Sequence, residues 1–251
     1  MQDDIILEAT GLTKEFLGFV AVKDVDLHVR RHSIHALIGP NGAGKTTCFN
    51  LLTHFLVPTS GRIRFNGIDI TGRSPAAIAR MGLVRSFQIS AVFPHLSVRD
   101  NVRVALQRPL RNSFQFWRSE RMLDALNTRA LELIEAVGLA PYAELPAVAL
   151  PYGRKRALEI ATTLALDPEM MLLDEPMAGL AHEDIDRIAA LIRKVAADRT
   201  VLMVEHNMSV VADLSDVITV LARGEKLAEG PYSEVSRHPQ VIEAYVGTGH
   251  G

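Results

Sequence analysis

The stretch Gly39-Pro40-Asn41-Gly42-Ala43-Gly44-Lys45-Thr46 decides the reading of this 251-residue chain. It fits G-x-x-x-x-G-K-[ST], the phosphate-binding loop. The apolar run Ile34 to Ile38 leads in as a strand, and Thr47 to Leu56 leads out as a helix. That is the strand–loop–helix setting the motif requires. Its glycines let backbone N–H groups wrap a polyphosphate, and the helix N-terminus adds positive potential. Lys45 is placed to reach β and γ phosphates, and the Thr46 hydroxyl to bind Mg²⁺, with Thr47 beside it.

Composition bounds the rest. Hydrophobic residues make up 48% of the chain, enough for a large core, and the net charge is −2. That balance gives no basic surface for nucleic acid. The lone Cys48 excludes an internal disulfide and reads as a small core residue in a reducing compartment. Met1 to Glu8 holds three acids and no base, unlike a signal peptide, and no apolar stretch is long enough to span a bilayer. The expectation is a cytoplasmic protein, free or peripheral on the inner face of the plasma membrane.

Apolar patterning divides the chain. Ile5–Ala9, Val25–Val29, Ile34–Ile38 and Gly61–Gly67 read as short strands. Ser97 caps a helix to Leu106, and Arg154–Ala165 is another helix. Between them Ser119–Val137 is helical, with Met122, Leu123, Leu126, Ala130, Leu133, Ile134 and Val137 as a core stripe. Met170–Leu173 and Thr200–Val204 are continuous apolar strands around a helix at Glu183–Ala197, the pattern of buried parallel strands. The expected fold is α/β: a mixed β core flanked by helices, formed by residues 1–87 and 164–251, with an inserted helical subdomain at 88–163.

The chemistry lies at the strand ends. Met170 to Leu173 runs into Asp174-Glu175-Pro176. Asp174 is suited to the Mg²⁺ shell and Glu175 to polarising an attacking water. Two solvated acids at a strand end would look the same in isolation; the phosphate loop upstream favours the site. Gln88 opens the helical insert, where an amide can touch both metal and water. His206 follows a strand and can hydrogen-bond a γ-phosphate. Phe16 can stack on a base, although a lone Phe is more often core.

In order and spacing, Gly39–Thr46, Gln88, Leu150-Pro151-Tyr152-Gly153-Arg154, Leu172–Pro176 and His206 resemble an ABC ATPase, a P-loop NTPase of the ABC type, over nearly the whole chain. The segment 150–154 resembles the family's signature loop. Leu158-Glu159-Ile160-Ala161, Met177–Leu180, Leu227–Gly230 and Val241–Gly247 narrow the likeness to the ATP-binding subunits of branched-chain (hydrophobic) amino acid importers.

The resemblance implies ATP and Mg²⁺ as cofactors. It also implies two transmembrane permease subunits, a homodimer or a heterodimer with a sister ATPase, and a periplasmic solute receptor as indirect partner. ATP is then sandwiched between one phosphate loop and the other subunit's Tyr152 and Gly153. Phe16 stacks on adenine, Gln88 senses Mg²⁺ and links to the membrane, and His206 is the switch histidine. Pro151, Arg154 and Ala181 depart from the general pattern, which has Ser, Gln and an acid or amide there. The alternative on sequence is a lipid- or lipopolysaccharide-extracting transporter, whose signature is usually Ser-Gly-Gly. A nucleotide-dependent switch on ribosomes or DNA is a weaker reading, since the chain has one ATPase unit and no heptads.

Overall fold

The computed structural model describes residues 4–86, 92–107 and 120–246, with side chains of 120–124 and 246 left aside. A central six-stranded sheet is built from β3 (Ile34–Ile38), β6 (Leu83–Arg85), β7 (Met170–Asp174), β8 (Thr200–Val204), β9 (Val217–Ala222) and β10 (Glu225–Gly230). Its order is β10-β9-β3-β8-β7-β6, parallel from β9 to β6 with β10 antiparallel at one edge. A second, antiparallel sheet has the order β2-β1-β4-β5, formed by β1 (Ile5–Phe16), β2 (Phe19–Arg30), β4 (Ser60–Phe65) and β5 (Ile68–Asp69).

Strand sequences explain the layering. On β8, Val201 and Met203 enter one core while Leu202 and Val204 enter another. The same alternation places Met171 and Leu173 of β7 opposite Met170 and Leu172. A strand covered on both faces must be apolar throughout, which is why these runs read as continuous rather than alternating. One core lies between the two sheets around α1 (Lys45–Leu52), with Phe49 and Phe65 fully buried. The other lies beneath the helices that follow β6.

Between β6 and β7 come α3 (Val98–Gln107), α4 (Glu120–Ala136) and α5 (Tyr152–Leu164), following α2 (Pro75–Arg80). Ser97 caps α3: its hydroxyl accepts the Asp100 amide at 3.0 Å. In the α4 stripe, Ala130, Leu133, Ile134 and Val137 are buried and Leu126 is half-buried, while the Met122 and Leu123 side chains lie outside the described set. The chain then runs through α6 (His182–Ala196), α7 (Met208–Leu214), α8 (Tyr232–Val235) and α9 (Pro239–Val246).

Several boundaries differ from the sequence reading. The first two strands are 12 residues each and pair as a long hairpin, because register shifts around Gly11 break the alternation that would have joined their segments. Phe16 therefore ends β1. Helix α1 starts at Lys45 and ends at Leu52, four residues short of Leu56. Helix α5 starts at Tyr152, with Pro151 in the N-cap position and no side-chain cap, instead of near Arg154. Proline suits that position, where a helix needs no backbone donor.

Candidate active site

Three neighbouring parallel strands, β3, β8 and β7, end on the same side of the sheet and deliver the site residues. In open α/β sheets this is where ligands bind. The phosphate loop leaves β3 and closes at Gly44, whose φ of 97° caps α1 in the left-handed region. A Cβ there would also approach the Ala21 carbonyl oxygen at 2.6 Å, so the loop and the start of β2 need glycine at this point. Lys45 Nζ donates to the carbonyl oxygens of Gly39 at 2.7 Å and Pro40 at 3.0 Å. Burial lowers the Lys45 pKa and the nearby Glu175 charge opposes that shift. Thr46 is exposed and Thr47 half-buried at the first turn of α1.

Asp174, the last residue of β7, is buried and ion-paired with Arg85 at 2.5 Å. Arg85 also donates to Asn50 on α1, so one guanidinium ties β6, β7 and α1 together. Glu175 follows with φ of 46°, an uncommon conformation for a non-glycine residue that costs on the order of 1–3 kcal/mol. Its amide bonds the Val204 carbonyl at 2.9 Å, and its Oε1 lies 4.0 Å from Nδ1 of His206. His206 is exposed. Beneath it Glu205 is fully buried and accepts the amides of Met177, His206 and Asn207 at 2.9, 3.0 and 3.2 Å. One carboxylate thus fixes the loops after β7 and β8 relative to each other.

Sequence reading missed Arg85 and Glu205. Glu205 had a usable signal: an acid directly after a fully apolar strand must be neutralised or hydrogen-bonded if it is buried. Cys48 is buried, and burial pushes its thiol pKa up to about 12, which leaves it a core residue.

The other named residues lie around this centre. Phe16 is 41% exposed near the hairpin tip, with Lys14 Nζ 5.1 Å from its ring centroid. Pro151 and Tyr152 are exposed at the start of α5, and Gly153 is buried. A Cβ on Gly153 would overlap the carboxylate of Asp184 on α6. Gln88 lies outside the described residues, as do Phe87 and Ile89.

A hydroxyl and a carboxylate, Thr46 and Asp174, are hard oxygen donors. Among the described residues no cluster of three or more His, Cys, Asp or Glu side chains could cage a metal ion. That donor set fits Mg²⁺, which takes one or two protein oxygens and completes its shell with phosphates and water.

Residues 22–178 match the family model described as ABC transporter. The chain belongs to the ABC transporter family. Residues 225–251 match a second model, described as branched-chain amino acid ATP-binding cassette transporter. This ABC ATPase is 42% identical over 252 residues to the high-affinity branched-chain amino acid transport ATP-binding protein BraF of Pseudomonas aeruginosa, covering 96% of this chain and 98% of that one. It is 38% identical over 254 residues to the protein of the same description, LivG, of Escherichia coli K12, with 96% and 98% covered.

Among solved structures, a nucleotide-free ATP-binding cassette from an ABC transporter superposes with a TM-score of 0.85 at 28% identity, covering 96% of this chain and 98% of that one. A cassette in its ADP conformation also gives 0.85, at 30% identity, with 97% and 99% covered. This ABC ATPase therefore has the cassette fold and the ATP-hydrolysing activity of its family. None of its described helices is long and apolar enough to cross a membrane.

Proposed function

We propose that this chain powers uptake of branched-chain or related amino acids, hydrolysing ATP beneath two membrane subunits. The observation that carries the hydrolytic part is the convergence of Lys45, Asp174, Glu175 and His206 at the ends of adjacent strands. The solute rests on near full-length similarity to BraF and LivG, whose names specify branched-chain amino acid transport. Those names favour amino acid transport over the lipid-extracting alternative.

In this reading Lys45 exchanges its loop carbonyls for the β and γ phosphates. Thr46 and Asp174 would hold Mg²⁺, which when bound neutralises phosphate charge. Glu175 accepts a proton from the attacking water, its backbone amide held by the Val204 carbonyl at the end of β8. His206, 4.0 Å from Glu175, is within reach of a shared γ-phosphate. Phe16 stacks on adenine. Tyr152 and Gly153 close on the partner subunit's nucleotide in a dimer, and Gln88 links the Mg²⁺ site to the insert at 88–163.

The membrane subunits dock in an apolar groove of about 430 Å³ between the sheet edge and α3 and α5. Phe55, Phe93 and Val104 line it and are 48, 52 and 40% exposed. Exposed apolar surface gathered in one groove marks an interaction site. The membrane subunits place the chain as a peripheral protein on the cytoplasmic face.

The test is uptake of radiolabelled leucine, isoleucine and valine by cells lacking the chromosomal copy. Wild-type chain should restore uptake, while Lys45→Ala and Phe93→Asp should not. Uptake that is normal without the chain would overturn the solute assignment. Full uptake with Phe93→Asp would remove the groove.

A further inference from the structure

Helix α5 separates the nucleotide cleft from the apolar groove, and one ion pair crosses it. Arg156 and Glu159 are one turn apart with side chains only 8 and 4% exposed, Nη1 to Oε2 at 2.8 Å. Their remaining contacts face opposite ways. Arg156 Nη2 donates to the Glu175 carbonyl oxygen at 3.5 Å. Glu159 lines the groove, and its Oε1 is buried with no hydrogen-bond partner. A buried carboxylate oxygen without a donor is uncommon and costly, because it has lost water and gained nothing in return. Burial raises the Glu159 pKa, and the Arg156 charge only partly opposes it. Just behind the groove wall there is therefore an acceptor that a docked group can satisfy by drawing the carboxylate outward.

The other end of the pair touches a residue whose backbone is held in the left-handed region. Glu175 adopts φ of 46°, with its amide bound to Val204 and its carbonyl facing Arg156. That turn aims its carboxylate toward His206. Anything that strengthens or weakens the Arg156 bond to the carbonyl alters how firmly the turn is held.

We propose that the Arg156–Glu159 pair positions Glu175 according to whether the groove is occupied. The occupant is a cytoplasmic segment of a membrane subunit that presents apolar side chains and one lysine or arginine. Its cation pairs with Glu159 Oε1 and draws the carboxylate away from Arg156. The released guanidinium then binds the Glu175 carbonyl more closely and steadies the left-handed turn. This rests on the groove being the docking site of the membrane subunits. Arg156 is a positioning residue here, because it reaches the chemistry only through Glu175.

Arg156→Gln alone leaves a buried carboxylate uncompensated and risks misfolding. The double variant Arg156→Gln/Glu159→Gln removes both charges together and so leaves neither one buried alone. In the purified full chain it should retain its circular dichroism and a KM for ATP within about twofold, with kcat down roughly tenfold, as a misplaced base loses rate and not binding. A lowered Tm with unchanged kcat would make the pair merely structural and overturn the proposal.

The second measurement is the ratio of ATPase rates with and without co-purified membrane subunits. Glu159→Gln should assemble, and its ratio should fall toward one. A Glu159→Gln complex with the wild-type ratio would overturn the link to the groove. If the wild-type chain assembles with no membrane subunits, the docking reading itself fails, and the kcat result still decides whether Arg156 positions Glu175.

Discussion

Lys45 Nζ donates to the Gly39 carbonyl oxygen at 2.7 Å, so the ammonium closes the phosphate loop on itself. A polyphosphate offers that ammonium stronger, charged acceptors than two peptide carbonyls. Lys45→Ala should weaken ATP binding by about tenfold or more and abolish turnover. Titration calorimetry and a steady-state assay check this. Unchanged affinity with unchanged rate would remove the loop from the mechanism.

A side chain at Gly153 would have to push aside the Asp184 carboxylate that lies against it. Asp184 is itself held by Arg187 on the same helix. Gly153→Leu, and even Gly153→Ala, should displace Asp184 and block close approach of a partner's nucleotide to the start of α5. Pro151→Ser should preserve or strengthen ATP-driven dimerisation, since it restores a hydroxyl and a backbone donor. Light scattering with ATP in the Glu175→Gln background, where hydrolysis is held off, reads both. Normal dimerisation of Gly153→Leu would show that 150–154 does not clamp the partner's phosphate.

His35 is buried on β3, where burial lowers its pKa to about 4. Its Nε2 lies 2.8 Å from the Thr219 hydroxyl, which donates to Glu229 at 2.8 Å. The folded pKa is below the ordinary value of 6.5, so the unfolded chain binds more protons between those two pH values. The stability linked to neutral His35 is therefore complete above pH 6.5 and lost as pH falls toward 4, on the order of 3 kcal/mol at 1.36 kcal/mol per unit. His35→Gln should flatten the fall of Tm across that window. Equal slopes in thermal melts of both proteins would contradict this account.

The legible parts were those governed by local chemistry. The phosphate loop, the apolar strands β7 and β8 and the acids at the end of β7 announce themselves within a few residues. Arg85 does not, because its partners Asn50 and Asp174 are 35 and 89 positions away. Glu205 is similar: its acceptors' work is to join loops separated by 28 positions. The hairpin of β1 and β2 was read as shorter pieces because its register shifts interrupt the two-residue period. The strand β9 was not read at all, and beyond it only Leu227–Gly230 and Val241–Gly247 were read, by resemblance; yet β9 lies beside β3 and supports the phosphate loop strand. Beside the site, Val92 is half-buried against the core, whereas its neighbour Phe93 is exposed, a difference that adjacent apolar residues do not announce in sequence.

The most direct test of the account is ATP turnover by Glu175→Gln measured beside its ATP affinity. The substitution keeps size and hydrogen bonding but removes the base. Affinity should stay within about twofold of wild type while turnover falls about a hundredfold or more, the contribution of a positioned general base. Near-normal hydrolysis by Glu175→Gln would contradict the assignment of Glu175 and with it the proposed catalytic arrangement.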